Sequence, residues 1–381
     1  MTPLKNPNEM RFRPDGTFRV LQVSDPQDLV HPRRSMLRML AAAYDTLDPD
    51  LILFTGDNTL GNHLLDVGPM RITDIGRPAF TLRQMRRSLA HILRQADERH
   101  IPFAMIYGNH DDMNDVPREE QFALYRAYAS CLPMNETDPS VDEDTYNIPL
   151  VTADGRTAWN LWLLDSAWND ETGQHWEIKQ ATVDWYARVT GELKAANGGE
   201  NVPSLMFLHV PLPAMRGLTV PCEETDPGAI KDGGGFVRLD ESKATGTLGE
   251  AISPCTDDHG LFDMIRAKND VRAVVSGHDH RNCFDGEYEG VRFIQSAAAS
   301  FRCYGSRLRG VRLFTLRQDA DAFDTAWYTY DDLCGKSPLA RARYLWDADE
   351  CAKPKYMTLS SLAIAGALGG AAALIKAAKR R

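Results

Sequence analysis

The chain has 381 residues, 43% of them apolar and 25% charged, which suits a globular protein with one large domain or two medium ones. Its formal net charge of −10 argues against DNA or RNA as a partner, because a free-standing nucleic-acid binder displaces counterions with a basic face. Seven scattered cysteines without a CxxC pair form neither a disulfide framework nor a zinc knuckle, and a reducing, cytoplasmic compartment is expected for a chain whose first residues show no apolar signal core.

In chain order, short apolar runs predict strands at 19–24, 51–55, 103–107, 159–164, 205–208 and 271–275. Amphipathic stretches between them predict helices at 35–47, 81–99, 119–129, 179–195 and 261–268. Such alternation points to an α/β fold with helices covering a central sheet. Past residue 280 the helices stop: 284–288, 291–296, 311–316 and 325–330 predict consecutive strands of a second, more antiparallel sheet. A layered α/β sandwich therefore fits better than one doubly wound sheet. Residues 215–257, rich in Gly, Pro, Asp and Glu, predict a long loop of the lid or insertion kind. Arg302, Arg307, Arg309 and Arg312 form a local basic run, which solvated strand and loop positions explain as well as a binding patch does.

Five apolar runs end in ligand-type side chains. LQVSDPQD delivers Asp25, Gln27 and Asp28; LILFTGDN delivers Asp57 and Asn58; FAMIYGNHDD delivers Asn109, His110 and Asp111. LMFLHVPLP ends in His209, and AVVSGHDH in His278 and His280. Ligands of open α/β sheets bind outside the carboxyl ends of the strands, so these groups gather on one edge. Taken singly, DPQD and GDN are ordinary turns and His209 an ordinary satisfied histidine. Two histidines at i and i+2 after a glycine have little structural use, and the joint occurrence on successive strands points to metal binding. Carboxylate, amide and imidazole ligands together suit Mn, Fe, Zn or Co better than Ca or Mg alone.

This order of motifs resembles the calcineurin-like metallophosphoesterase superfamily, whose pattern runs DxH, GDxx, GNH[DE], a lone H and GHxH. The match spans roughly residues 17–316. It is most similar to the small purple-acid-phosphatase-like branch, through Arg118, Glu119 and Glu120 after GNHDD, Asp165 in LDS, His209 in HVPLP, Gly260 and Phe262 in GLF, and Tyr304, Gly305, Arg309 and Gly310 after GHDH. The resemblance implies a four-layer αββα sandwich, which the chain places at 15–330; residues 331–356 read as a short extension and 357–381 as a tail. It also implies that Asp57 bridges two metal ions. Asp25 and His280 would complete the first, and Asn109, His209 and His278 the second. His110 would touch the phosphate and stabilise or protonate the leaving oxygen. Gln27 departs from the pattern, since an amide oxygen replaces the usual imidazole and weakens the first metal position; Asp28 offers a substitute. Leu60 stands where a tyrosine colours true purple acid phosphatases, so no chromophore is expected.

Two cations about 3.5–4 Å apart would turn a bridging water into hydroxide near neutral pH and neutralise phosphate oxygens for in-line attack on phosphorus. The expected substrate is a phosphorylated small molecule, read as a phosphomonoester. A phosphodiester or nucleotide, or a silent scaffold that binds other proteins, are the alternatives. Lastly, residues 356–375 carry no charge and Lys376, Lys379, Arg380 and Arg381 follow. That length matches a bilayer core, making the tail a membrane anchor or, given its Ala and Gly content, a surface helix or disordered segment.

Overall fold

The computed structural model describes residues 8–61, 77–114, 116–135, 138–169 and 176–351. Its first strands are β1 (Met10–Arg11), β2 (Thr17–Val23), β3 (Leu51–Thr55), β4 (Phe103–Ile106), β5 (Tyr146–Val151) and β6 (Thr157–Leu163). A small hairpin of β7 (Trp168–Asn169) and β8 (Trp176–Glu177) precedes β9 (Ser204–Phe207). Then come β10 (Thr219–Cys222), β11 (Ile230–Asp232), β12 (Gly235–Leu239) and β13 (Ala244–Thr247). β14 (Val271–Ser276), β15 (Cys283–Tyr288), β16 (Val291–Gln295), β17 (Gly310–Arg317) and β18 (Phe323–Thr329) complete the set. The helices are α1 (Arg34–Leu47), α2 (Arg77–Asp97), α3 (Arg118–Arg126), α4 (Gln180–Ala196), α5 (Leu261–Lys268), α6 (Tyr330–Cys334) and α7 (Pro338–Asp347).

Five strands form one sheet in the order β18-β17-β2-β3-β4, and eight form another in the order β1-β5-β6-β9-β14-β16-β15-β13. β2, β3 and β4 run parallel, as do β6, β9, β14 and β16. The central strands of the larger sheet are apolar on both faces, the signature of a parallel sheet covered twice. Leu161, Leu163, Leu205, Phe207, Ala273 and Val275 enter the core shared with β2 to β4. Their neighbours Trp162, Leu164, Met206, Leu208 and Val274 enter a second core with Val183 and Tyr186 of α4 and Leu261 and Ile265 of α5. On the far side, α1 packs with Met36, Met39, Leu40, Ala43 and Leu47 at three- and four-residue steps, and Met85, Leu89 and Ile92 of α2 join it. Helix, sheet, sheet, helix is the four-layer αββα sandwich.

Three expectations need correction. The strands after residue 280 do not make a sheet of their own: β15 and β16 extend the larger sheet, while β17 and β18 join the N-terminal strands. The buried crossing between them, from Ala297 to Phe301, carries the chain from one layer to the other. The stretch 215–257 is not one long loop, because β10, β12 and β11 form a three-stranded sheet and β13 pairs with β15. Arg309 and Arg312 are not solvated; each is buried, Arg309 against the carbonyls of Ser300, Cys303 and Ser306 and the carboxylate of Glu350, Arg312 against Ser296 and the carbonyl of Gln295.

The segment after β18 folds back on the core. Tyr344 of α7 packs its ring 5.2 Å from Phe301 and 5.4 Å from Tyr330, and its hydroxyl donates to Ser306 O at 2.9 Å. Tyr344→Ala should therefore cost about 3–5 kcal/mol in urea unfolding, the range for truncating a buried aromatic ring. A cost near zero would make α7 a loosely held appendage. Among the described residues no helix is long and apolar enough to cross a membrane. The uncharged run 357–375 lies outside them.

Candidate metal centre

Each ligand-type residue follows a strand end. Asp25 follows β2, Asp57 follows β3, Asn109 and His110 follow β4, His209 follows β9, and His278 and His280 follow β14. Because those strands are parallel within each layer, their carboxyl ends deliver the side chains to a shared edge. The backbone there is bent hard. Asp25, Asp57 and His278 adopt left-handed φ values of 51°, 50° and 72°, conformations that cost non-glycine residues about 1–3 kcal/mol unless the surroundings hold them. Asp25 is held by its N–H on Gly56 O at 3.2 Å and by its own carbonyl, which accepts from Ser300 N at 3.0 Å. Gly108 has no alternative residue: a Cβ there would overlap Asp57 Oδ1 and stand 2.7 Å from His209 Nε2.

One carboxylate oxygen each of Asp25 and Asp57 and a ring nitrogen of His209 lie within 4.8 Å of one another, all buried. His209 Nδ1 meets Thr55 O at 2.9 Å, which fixes the tautomer and turns Nε2 toward Asp57 Oδ1 at 3.3 Å and Asn109 Oδ1 at 3.2 Å. His280 repeats the arrangement. Its Nδ1 meets Tyr304 O at 2.9 Å, its ring stacks on Tyr304 at 4.2 Å, and its Nε2 lies 3.5 Å from Asp25 Oδ1. Gln27 Nε2 donates to Asp57 Oδ2 at 3.0 Å and lies 3.2 Å from His280 Nε2. The His278 ring sits 5.2 Å from that of His209, and the backbone N–H of His278 donates to Asp25 Oδ2 at 3.2 Å. His110 N donates to Asp57 Oδ1 at 2.9 Å, while its ring, 28% exposed, places Nε2 4.0 Å from Asp57 Oδ2. Asp25, Gln27, Asp57, Asn109, His110, His209, His278 and His280 thus converge, whereas Asp28, the substitute for Gln27, turns away to accept from the backbone N–H groups of Leu29 and Arg33.

Burial opposes ionisation of Asp57 and Asp25, yet both are held below the ordinary carboxylate range, Asp57 chiefly by the His209 charge and Asp25 by the His280 imidazole beside it. Burial likewise opposes a charge on His209, but the Asp57 charge pushes it up to about 10. For His278, burial and the charge on His209 push it down to about 3. The site thus wants positive charge among its carboxylates. Asp25 Oδ1 and Gln27 Oε1 are buried without hydrogen-bond partners. Two imidazoles pinned through Nδ1 and aimed through Nε2 at buried carboxylates fit a bound cation, and the mixed N and O donors suit a borderline one.

The model of the family "Calcineurin-like phosphoesterase" matches residues 18–282. The chain belongs to this family. It is similar to "Probable inactive purple acid phosphatase 29" of Arabidopsis thaliana, 25% identical over 337 residues that cover 78% of this chain and 75% of the relative. It is also 24% identical over 397 residues to "Probable inactive purple acid phosphatase 14" of that plant, covering 91% and 88%. Among solved structures, a dimetal phosphatase from Danio rerio aligns at 12% identity and TM-score 0.45 over 82% of this chain and 99% of that one. A purple acid phosphatase from yellow lupin (Lupinus luteus) seeds aligns at 10% identity and TM-score 0.43 over 84% and 55%.

Around this candidate metal centre stand residues whose roles the motifs alone did not reveal. Asp111, the first acid of GNHDD, is a clamp. It accepts from the backbone N–H groups of Asn58, Thr59 and Gly108 at 2.9–3.0 Å, tying the loop after β3 to the loop after β4. Burial, reinforced by the Asp57 charge, pushes its pKa up to about 7. Arg118 joins the two motifs that flank it in the sequence pattern, donating to Asp112 at 2.8 Å and to Asp165 at 2.9 Å. Trp176 of β8 packs edge-on against His278, ring centroids 5.0 Å apart. No motif announces Trp176, since β8 lies far from β14 in sequence.

Proposed function

We propose that this chain hydrolyses phosphoric monoesters at a pair of metal ions held by Asp25, Gln27, Asp57, Asn109, His209, His278 and His280. One observation carries the reading: His209 and His280 each give Nδ1 to a backbone carbonyl and present Nε2 to buried, ionised carboxylates. The names of the purple acid phosphatase relatives support the monoester class. Bound ions of this kind acidify water and neutralise phosphoryl oxygens. The protein's part is to place and orient. Asp57 is fixed from two sides, by His110 N and Gln27 Nε2, so its carboxylate keeps one orientation. His110 is anchored at its backbone while its partly exposed ring stands beside the cluster, where a leaving oxygen would need a proton. Arg118, locked between Asp112 and Asp165, stiffens the loop that carries His110.

Two facts favour a second reading, a non-catalytic scaffold: the relatives are named inactive, and Gln27 stands where an imidazole is usual. A metal-reconstituted activity screen over monoesters, diesters and nucleotides separates the readings. Turnover of monoesters above the other classes supports the proposal, diester preference would move the substrate class, and no turnover of any ester would leave the scaffold.

Gln27 itself gives a sharper test. With its amide between Asp57 and His280, it contributes at best a neutral oxygen. Gln27→His should lower the metal concentration for half-maximal activity by about tenfold or more, since even groups behind the ligands change metal affinity 10–100-fold. An unchanged or raised requirement would mean that Gln27 is no weak point of the site.

A further inference from the structure

α1 and α7 flank an open groove of about 640 Å³. Arg33 enters it from just before α1, Arg34 and Arg38 stand one turn apart on α1, and Arg343 faces them from α7. Asp347 is the one carboxylate in the lining, and its Oδ2 is engaged by the N–H of Ser35 at 2.8 Å. Among the described residues, none of the four guanidinium groups has a carboxylate within 4.0 Å. Arg33 lends its charge to the buried Asp28, and Arg34, Arg38 and Arg343 are left to converge on the opening, where their planar forks attract phosphate and can hold it with paired hydrogen bonds.

Trp346 stands at one edge of the groove. Leu339, Arg343 and Trp346 follow one another at i, i+4 and i+7 on α7, with Leu339 59% and Trp346 58% exposed. Apolar side chains flanking a basic one on a single helix face suit the boundary between lipid headgroups and acyl chains better than they suit a small soluble anion. The chain also continues from α7 into the uncharged residues 356–375. We propose that the α1–α7 groove is a docking site for a membrane surface rich in anionic phospholipid. Lipid phosphates enter between the arginines, and Leu339 and Trp346 lie against the headgroup boundary. Clusters of four to eight basic residues next to a membrane-directed segment bind such surfaces, each contributing about fivefold to affinity.

The test is sedimentation of the full-length protein with vesicles of phosphatidylcholine alone or of phosphatidylcholine with phosphatidylserine. The wild-type chain should prefer the anionic vesicles and release from them as salt rises. The triple variant Arg34→Ser, Arg38→Ser, Arg343→Ser should bind anionic vesicles on the order of 10²-fold more weakly, three charges at about fivefold each. Both proteins should bind phosphatidylcholine equally. If the triple variant does not fold, judged by its circular dichroism, Arg34→Gln with Arg38→Gln keeps the test open, with about 25-fold expected. Undiminished binding of a folded variant to anionic vesicles overturns the proposal. So does calorimetric binding of tripolyphosphate by a wild-type chain that shows no vesicle preference, since that outcome assigns the groove to a soluble phosphate.

Discussion

Replacing Asp57 with asparagine is expected to strip the centre of metal and reduce turnover by on the order of 10³-fold or more, leaving the fold intact. The carboxylate is the group on which the site turns. It faces His209 at 3.3 Å, receives hydrogen bonds from His110 N and Gln27 Nε2, and stays ionised despite complete burial. Asparagine keeps the volume and removes the charge, and with it an electrostatic contribution to transition-state stabilisation of several kcal/mol. The backbone accepts the change, because asparagine tolerates the left-handed φ of 50° found at this position. Atomic absorption and steady-state assays on the same preparation check both halves. Near-full turnover with metal retained would show that Asp57 does not hold the metal.

His110→Asn is expected to lower turnover by about 10²–10⁴-fold, the usual worth of a positioned general acid, with metal content unchanged. The two histidine classes differ in geometry. His209 and His280 are fully enclosed and pinned through Nδ1, whereas the His110 ring is 28% exposed and reaches Asp57 only at 4.0 Å. Asparagine preserves the backbone N–H that Asp57 needs, so the variant removes the imidazole alone. Leaving-group dependence adds a second reading: substrates with acidic leaving groups should lose less rate than those with basic ones. Metal loss in this variant would place His110 among the ligands.

Much of the site is legible in the sequence because its geometry is simple. A parallel strand ends, the chain turns, and the next polar side chain faces the shared edge; LILFTGDN and AVVSGHDH state this outright. The sandwich's central strands are legible for the same reason, their apolar runs being buried on both faces. What the sequence hides is pairing across distance. β17 follows β16 closely, so adjacency suggests one sheet; only the buried crossing at 297–301 sends β17 to β2. β5 is masked by Pro149 and Asn147, whose types argue against a strand, yet it pairs with both β1 and β6. β10 to β13 lie partly exposed, where the apolar alternation that marks a strand fades into Gly, Pro and Asp. Trp176 against His278 and Arg118 between Asp112 and Asp165 are contacts between distant segments, which local pattern does not encode.

The most direct measurement is the metal content of the full-length chain after reconstitution with manganese, iron or zinc and removal of free ions. About two ions per wild-type chain are predicted for a centre of this donor set, falling in Asp57→Asn and unchanged in His110→Asn. A folded wild-type chain that retains no metal would contradict the assignment of Asp25, Asp57, Asn109, His209, His278 and His280 as ligands.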